Sequence, residues 1–159
     1  MSKRKRDFKL SDYPLAVRYV RWSFLRSILH NGWWLVTSLY LVIDAELSAS
    51  QLITIGVIQG IASFIFEVPA GVVADTISRK YSIVISHLLM GIAMCLTGLL
   101  TDFTLLIMTQ VLWGIAWTFS SGADIAYITD ELNQPTVISR ILARTVRAQL
   151  KGAVFGIVI

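Results

Sequence analysis

Long apolar stretches alternate with short polar segments along the chain. A helix that crosses a bilayer core of about 30 Å needs roughly 20 mostly apolar residues. Four stretches reach this length, near residues 22–43, 51–74, 82–100 and 105–129. A fifth apolar run begins at Gly152, and at about 1.5 Å per residue it extends only roughly 12 Å before the sequence ends. This pattern predicts an all-α membrane protein with four transmembrane helices and the start of a fifth.

The composition agrees with this interpretation and limits the chemistry. Apolar residues make up 55% of the 159 residues and charged residues 15%, whereas soluble domains carry about 25% charged residues. Because the fifth apolar run is too short to cross a membrane, we expect the chain to be the front part of a longer protein or a truncated reading frame. Cys95 is the only cysteine, so no disulfide framework or cysteine metal site is available, and we expect it to be a small buried hydrophobe.

Cationic residues lie at alternate ends of the predicted helices. Lys and Arg are retained on the cytoplasmic side of membrane proteins, so their positions predict orientation. They precede the first helix, follow the second and follow the fourth: Lys3, Arg4, Lys5, Arg6, Lys9, Arg18 and Arg21; Arg79 and Lys80; Arg140, Arg144, Arg147 and Lys151. The charged residues of the other two turns are acidic, Asp44, Glu46 and Asp102. We predict a multi-pass protein of the plasma membrane with a cytoplasmic N-terminus.

Residues 1–21 are predicted to be a basic cytosolic tail. A basic tail also suits nucleic acid, but this one adjoins a membrane helix and carries Tyr13 and Tyr19 close to Trp22, which are typical residues of the headgroup zone. We therefore expect the lipid bilayer as a partner and no nucleic acid.

The rest of the chain divides into three predicted parts. Residues 22–129 form a four-helix transmembrane bundle. Residues 130–151 form a basic cytoplasmic linker that contains the polar run ELNQPT, and apolar residues at helical spacing in its later part suggest a helix lying on the inner surface. Residues 152–159 are the truncated fifth transmembrane helix.

Two predicted helices carry a stripe of polar and aromatic residues on one face. The stripe of the first helix is Arg26, His30, Trp33, Thr37 and Tyr40, and that of the fourth is Gln110, Trp113, Trp117, Ser121 and Asp124. These faces predict that both helices line an interior path. The third helix has few polar residues, and we expect it to be peripheral and to face lipid.

Small residues predict close helix contacts on two of the helices. Gly114, Thr118 and Gly122 form a strip beside the polar stripe of the fourth helix. On the second helix, Gly56 and Gly60 form a close-packing pair, and Gln59, Ser63 and Glu67 lie toward one side.

Arg26, Glu67 and Asp124 are ionisable residues inside predicted spans. In hydrocarbon each costs roughly several kcal/mol unless it is paired or faces water. All three lie about one to two turns from the cytoplasmic ends of their helices, so we expect them to meet at one depth. Such a cluster is compatible with a static brace between helices and, equally, with a proton-coupling site. His30 either joins a proton relay or, as the favoured alternative, is a hydrogen-bonded neutral residue.

Trp113 and Trp117 allow two interpretations. They form part of a cavity wall for an apolar or cationic ligand, or they anchor the helix in lipid. Trp117 lies near the middle of its predicted span, where anchors are uncommon, which favours the cavity.

The segment FEVPAGVVADTISRK, residues 66–80, connects the second and third helices on the predicted inner side. It fits G-x-x-x-D-x-x-G-R-[KR] at Gly71, Asp75, Arg79 and Lys80, and Ser78 replaces the second glycine without changing the charges. This motif, EVPAG, the SGADIAYITDEL exit of the fourth helix, the spacing of the spans and the long basic connection together resemble the major facilitator superfamily. Bacterial drug-efflux-like members are the most similar in pattern. The resemblance covers the chain from about Arg21 to its end.

The resemblance implies the N-terminal part of a twelve-helix carrier that works by alternating access. Its inner loop would be a conformational latch, in which Gly71 allows close helix approach and Asp75 interacts with a helix of the C-terminal half. Arg79 would pair with a carboxylate, for which Asp130 is the natural partner. Gln110 stands where many proton-coupled antiporters of the family have a buried arginine, which weakens the inference of proton antiport.

We therefore expect a transporter of a small molecule, with export as the expected direction and a proton as a candidate coupling ion, and not an enzyme. The sequence contains no nucleophile elbow, phosphate loop or His-rich metal pair, so no catalytic residue, metal ligand or cofactor is predicted. The alternatives are a small four-helix homodimeric exporter and a non-transporting membrane relic or scaffold. The loop motif disfavours the first, and the intramembrane charges disfavour the second.

Overall fold

The computed structural model describes residues 9–158, except for the side chain of residue 136. Nearly all of this range is helical, and it contains no strand. A short 3-10 helix, Leu10–Asp12, is followed by α1 (Pro14–Ile43), α2 (Ala49–Thr76), α3 (Arg79–Thr97), α4 (Phe103–Ser121), α5 (Ala123–Leu132) and α6 (Pro135–Val158). The predicted all-α class is confirmed. The first eight residues of the predicted basic tail, with Lys3, Arg4, Lys5 and Arg6, lie outside the described residues, as does residue 159.

Within the described range, three helical segments are long and apolar enough to cross a membrane: α2, α3 and the run from Phe103 to Leu132 that joins α4 and α5. The outer surface of α2 is strongly apolar, and Phe64 at its centre is 79% exposed. A continuous apolar surface of this kind suits lipid. α1 is as long but does not reach the same apolarity, because Arg26, His30 and Asn31 interrupt it. Its predicted crossing of the membrane stays a prediction.

Two compact units make up the chain, and α1 and α5 contribute to both. The central unit is Val36–Tyr127, and the terminal unit combines residues up to 35 with residues from 128 onward.

In the central unit, α4 packs on both α2 and α3. One end of the unit is closed by a core of Leu41, Leu47, Ile55 and Leu106. Polar residues fix the helix starts at this end. Ser48 and Gln51 form a capping box at the start of α2, and the Asp102 carboxylate accepts a hydrogen bond of 3.0 Å from the backbone N–H of Leu105 in α4. Asp102 therefore caps the start of α4 in addition to placing a negative charge in this turn.

α3 is not the featureless helix that the sequence suggests. It buries one stripe of mainly small and polar residues, Ser82, Ser86, Met90, Ala93 and Thr97. The Ser82 hydroxyl donates a 2.8 Å hydrogen bond to the carbonyl oxygen of Phe119 in α4. Cys95 lies on the exposed side, so the expectation that it is buried is wrong.

The close approach between α2 and α4 occurs at Gly114. A Cβ added there would lie 2.7 Å from Ser63 Oγ and 3.1 Å from the backbone oxygen of Gln59. The prediction that Gly114 permits close contact is confirmed, with Gln59 and Ser63 as the residues it meets. At Gly56, Gly60 and Gly122 an added Cβ would meet nothing within 4 Å, so the expectation of close contacts at those glycines is wrong.

The predicted polar linker between the fourth and fifth spans is almost entirely helical. α5 continues to Leu132, and only Asn133 and Gln134 separate it from α6. Asn133 has a φ of 43°, the left-handed conformation in which Asn often ends a helix, and Pro135 occupies the first position of α6, where its missing N–H costs no hydrogen bond. α6 then runs without a break through the predicted boundary at Gly152.

In the terminal unit, α1 and α6 lie side by side in parallel. Their starts are joined by a 3.2 Å hydrogen bond from the Tyr13 hydroxyl to Gln134 Oε1, and further along Ser27 Oγ donates to the Gln149 carbonyl oxygen at 2.7 Å. Beyond these bonds the helices touch through glycine. A Cβ at Gly152 would lie 2.5 Å from the carbonyl oxygen of Phe24, so only glycine fits this crossing.

Candidate functional site

A cleft of about 440 Å³ lies in the central unit, between the second half of α2 and the junction of α4 with α5. Its charged lining residues are Glu67, Asp75 and Arg79. Most of the remaining wall consists of small residues, including Ala70, Gly71, Ala74, Ser121, Gly122 and Ala123. The cleft is therefore a smooth trough with charges on its wall.

Spacing along α2 brings three predicted site residues into this cleft. Glu67, Gly71 and Asp75 follow one another at intervals of four, which places them on one face of a helix. The sequence predicts close helix approach at Gly71, but a Cβ added there would meet nothing within 4 Å. Gly71 leaves the wall of the trough open, and its predicted role in the close approach of a helix stays a prediction.

Asp75 and Arg79 form an ion pair across the turn from α2 to α3. The guanidinium nitrogen Nη2 of Arg79 lies 3.4 Å from Oδ1 of Asp75, and the Asp75 side chain is 71% exposed. Because the pair is solvated, it contributes little to stability, typically about 0–1 kcal/mol. Its carboxylate remains accessible from the cleft.

Ser78 replaces the glycine of the loop motif and caps α3. Its hydroxyl accepts a 3.5 Å hydrogen bond from the N–H of Tyr81, and its backbone is extended. An extended residue needs no glycine, and serine is a preferred N-cap. Lys80 follows in the first turn of α3, where it is exposed and does not line the cleft. Asp130 is exposed in the terminal unit, so its predicted pairing with Arg79 stays a prediction.

The predicted cluster of intramembrane charges is resolved only in part. Glu67 is exposed to the cleft, whereas Asp124 is buried and is not among the residues that line it. Arg26 is half-buried on α1 and belongs to the terminal unit. The meeting of all three charges stays a prediction. His30, on the same unit as Arg26, is half-buried, and its ring lies edge-on to Trp34 with centroids 6.4 Å apart.

The polar stripe of α1 is the more buried side of that helix. Thr37 is buried, whereas Leu35 and Leu39 on the opposite side are exposed. In the central unit, the Tyr40 hydroxyl donates a 2.9 Å hydrogen bond to the carbonyl oxygen of Leu100. The sequence thus identifies the more buried face of α1, and the interior path along that face stays a prediction.

Gln110 is placed differently from the prediction of a cavity residue. It is 2% exposed, and its side-chain amide donates a 3.0 Å hydrogen bond to Thr97 Oγ1 on α3. The Thr97 hydroxyl in turn donates a 2.9 Å hydrogen bond to Thr109 Oγ1. The three side chains form a buried polar network between α3 and α4. Thr97 and Thr109 were not predicted, although Thr97 ends the regular stripe of small and polar residues along α3.

Trp113 and Trp117 stack on each other, with ring centroids 5.7 Å apart and planes inclined by 15°. Trp113 is buried and Trp117 is partly exposed. Neither lines the cleft described above. The choice between a cavity wall and a lipid anchor stays open for this pair.

Among residues 9–158, no group of three or more His, Cys, Asp or Glu side chains is arranged to hold a metal ion. Comparisons with models of protein families, with curated proteins and with solved structures give no match. The fold and the cleft therefore define only a broad class of protein. Across residues 9–158 the protein is all-α, three helical segments are suited to crossing a membrane, and a trough of small residues is bordered by an ion pair.

Proposed function

We propose that the chain is the N-terminal segment of a secondary active transporter of the major facilitator type, which moves a small molecule by alternating access, with export as its direction. In this proposal α1, α2, α3 and the α4–α5 run are four transmembrane helices, and α6 carries the start of the fifth. The N-terminus is cytoplasmic, and the membrane is the plasma membrane.

The observation that carries the proposal is the position of the loop motif. Gly71, Asp75 and Arg79 of this motif all line one cleft of about 440 Å³. A trough of glycine, alanine and serine suits the close approach of another helix. This shared position on one trough supports the proposed docking of a helix and the proposed charged latch.

The proposed mechanism uses this trough as the seat of a helix from the C-terminal half of the carrier. The Asp75 carboxylate, held at the rim beside Arg79, would face the N-terminus of that helix and interact with its partial positive charge. Seating the helix closes the cytoplasmic side of the transport path, and releasing it opens that side. The stripes on α1 and α4 would border the path, and Arg26, His30, Glu67 and Asp124 are the candidates for a brace or a proton-coupling site.

The transport test compares two proteins in liposomes under an imposed proton gradient. One is the 159-residue chain, and the other is the product of the reading frame read through to its own stop. We expect saturable flux of members of a panel of fluorescent amphipathic cations with the second protein and none with the first. Eight further spans are expected downstream. Saturable flux by the 159-residue chain alone, or a stop without further spans, would overturn the proposal.

A further inference from the structure

A second cavity lies in the terminal unit, between the first half of α1 and the middle of α6. Its volume is about 340 Å³, and sites for small molecules usually measure about 300–1,000 Å³. Its cationic lining residues are Arg21, Arg144, Arg147 and Lys151. Its apolar lining residues are Val20, Phe24 and Ala148. Among the described residues, none that lines this basic groove is acidic.

Close helix packing fixes the groove at one end. The carbonyl oxygen of Phe24 touches α6 at Gly152, where no larger residue fits, and Ser27 is hydrogen-bonded to the backbone at Gln149. These contacts lie within one turn of the groove residues on both helices. The cations of α6 follow at intervals of three and four, so they share one helix face. The arrangement is a built feature of the α1–α6 pair.

The basic groove lies at a change of chemistry along α6. From Gly152 to Val158 the helix carries no charged residue, whereas the preceding two turns carry three cations. A boundary of this kind is typical of the level of lipid headgroups, and basic pockets between helices on the cytoplasmic side bind anionic headgroups. Placing the groove at the headgroup level requires that the helices enter a membrane, but it does not require that the protein transports a substrate.

We propose that the basic groove binds the phosphate of an anionic phospholipid, whose acyl chain follows Val20, Phe24 and Ala148. Phosphate chemistry is indicated by the convergence of Arg21, Arg147 and Lys151 from two helices on one groove. A lipid is favoured over free phosphate because three of the seven lining residues are apolar and offer nothing to a small hydrated ion. The groove therefore matches an amphipathic anion with its charge at the membrane surface.

The test measures lipid adducts of the purified 159-residue chain by native mass spectrometry from a neutral detergent. The probes are dioleoyl phosphatidylglycerol, dioleoyl phosphatidylcholine and inorganic phosphate. We expect phosphatidylglycerol to bind at least about fivefold more tightly than phosphatidylcholine, and inorganic phosphate to give no adduct. The triple variant Arg21→Gln, Arg147→Gln, Lys151→Gln should raise the phosphatidylglycerol Kd by about fivefold or more.

A matched triple variant removes three exposed cations outside the groove, Lys9→Gln, Arg18→Gln and Lys80→Gln. It should change the phosphatidylglycerol Kd less than about twofold. Binding in a groove depends on where the removed cations lie, whereas binding to a charged surface depends on the net charge. An equal loss in both triple variants would overturn the proposal, and so would equal binding of the two lipids. Binding of inorganic phosphate with no preference between lipids would assign the groove to a free anion instead.

A variant without any charge change guards against misfolding. Ala148→Trp fills the groove from its wall, and we expect it to abolish the preference for phosphatidylglycerol while circular dichroism and size-exclusion profiles stay those of the wild type. If the triple variant misfolds, the lipid preference of Ala148→Trp and of the single variant Arg147→Gln tests the proposal instead. An unchanged lipid preference in both would contradict the proposal.

Discussion

Gly156 of α6 packs directly against the backbone of Ile28 in α1. A Cβ at Gly156 would overlap the Ile28 carbonyl oxygen, and one at Gly32 would lie 3.2 Å from the carbonyl oxygen of Gly156. With Gly152 one turn earlier, the contact has the G-x-x-x-G spacing that lets helix backbones meet in membranes. This pair of glycines sets how closely the two helix backbones approach.

Gly152→Ala and Gly156→Ala should each destabilise the chain. The atoms that a new methyl group meets are backbone atoms, which cannot move aside without shifting a helix, so we expect a loss of about 1–3 kcal/mol in the free energy of unfolding. Denaturant unfolding in detergent, followed by circular dichroism, measures this loss. Gly91→Ala in α3 is the matched control, since nothing lies within 4 Å of its Cβ position. Similar stabilities for all three variants would contradict the proposed role of the glycine pair.

Helix positions were predictable from the sequence, because the length of an apolar run is a local property. The run near 51–74 became α2, Ala49–Thr76, and its exact start depends on the capping box at Ser48. Helix ends are set by one or two side chains, and the spacing of apolar residues does not contain that information.

Partners across helices were much less predictable. Gly114 and Gly71 are both glycines in apolar helices, yet only the first meets another element, because a small residue permits contact without specifying which helix arrives. Likewise, periodicity assigns Gln110 to the stripe of Trp113, but a buried amide needs a hydrogen-bond partner and finds Thr97 on α3. The α2 face with Glu67 and Asp75 was predictable because both lie on one helix.

Gly114→Ala should weaken the packing of α2 on α4. The added Cβ would meet Ser63 Oγ at 2.7 Å and Gln59 atoms at 3.0 and 3.1 Å. We expect a loss of about 1–3 kcal/mol. Removing the hydroxyl in Gly114→Ala, Ser63→Ala should recover part of that loss, but not all of it, because the backbone oxygen of Gln59 stays in place. Unfolding measurements on the single variants and the double variant test this, and strictly additive losses would contradict it.

The network of Thr97, Thr109 and Gln110 should show coupling between α3 and α4. In a double-mutant cycle of Thr97→Val with Gln110→Leu, we expect a coupling energy of about 0.6 kcal/mol and at most roughly 1.7 kcal/mol, the range of interhelical hydrogen bonds in membranes. The control cycle pairs Gln110→Leu with Thr104→Val, whose side chain is exposed on α4. Equal coupling in both cycles would show that the hydrogen bond to Thr97 adds nothing specific.

The predicted orientation can be checked with single cysteines. In a Cys95→Ser background, Asp44→Cys marks the turn predicted to be outside and Lys80→Cys the start of α3 predicted to be inside. A membrane-impermeant maleimide added to intact cells should label the first and not the second, because Lys and Arg are retained in the cytoplasm. Lysed cells should show labelling of both. The opposite pattern in intact cells would reverse the orientation.

Asp75→Asn and Arg79→Ala should change conformation and leave stability nearly unchanged. The ion pair is exposed, so its loss should alter the free energy of unfolding by less than about 1 kcal/mol. If the Asp75 carboxylate holds a helix in the cleft through its N-terminal partial charge, which is worth roughly 1 kcal/mol, its loss should shift the cytoplasm-open population about fivefold.

In the complete carrier that we propose, made without Cys95, maleimide labelling of a cysteine placed at Ala126, a cleft residue, reports that population. We expect labelling from the cytoplasmic side to become several-fold faster in both variants, because an unlatched helix leaves the cleft exposed for longer. Asp44→Asn removes the same charge from the turn between α1 and α2, at the opposite end of α2 from Asp75. It should leave the labelling rate unchanged. Equal rates in the wild type, Asp75→Asn and Arg79→Ala would remove the latch from the proposed mechanism while leaving the cleft itself in place.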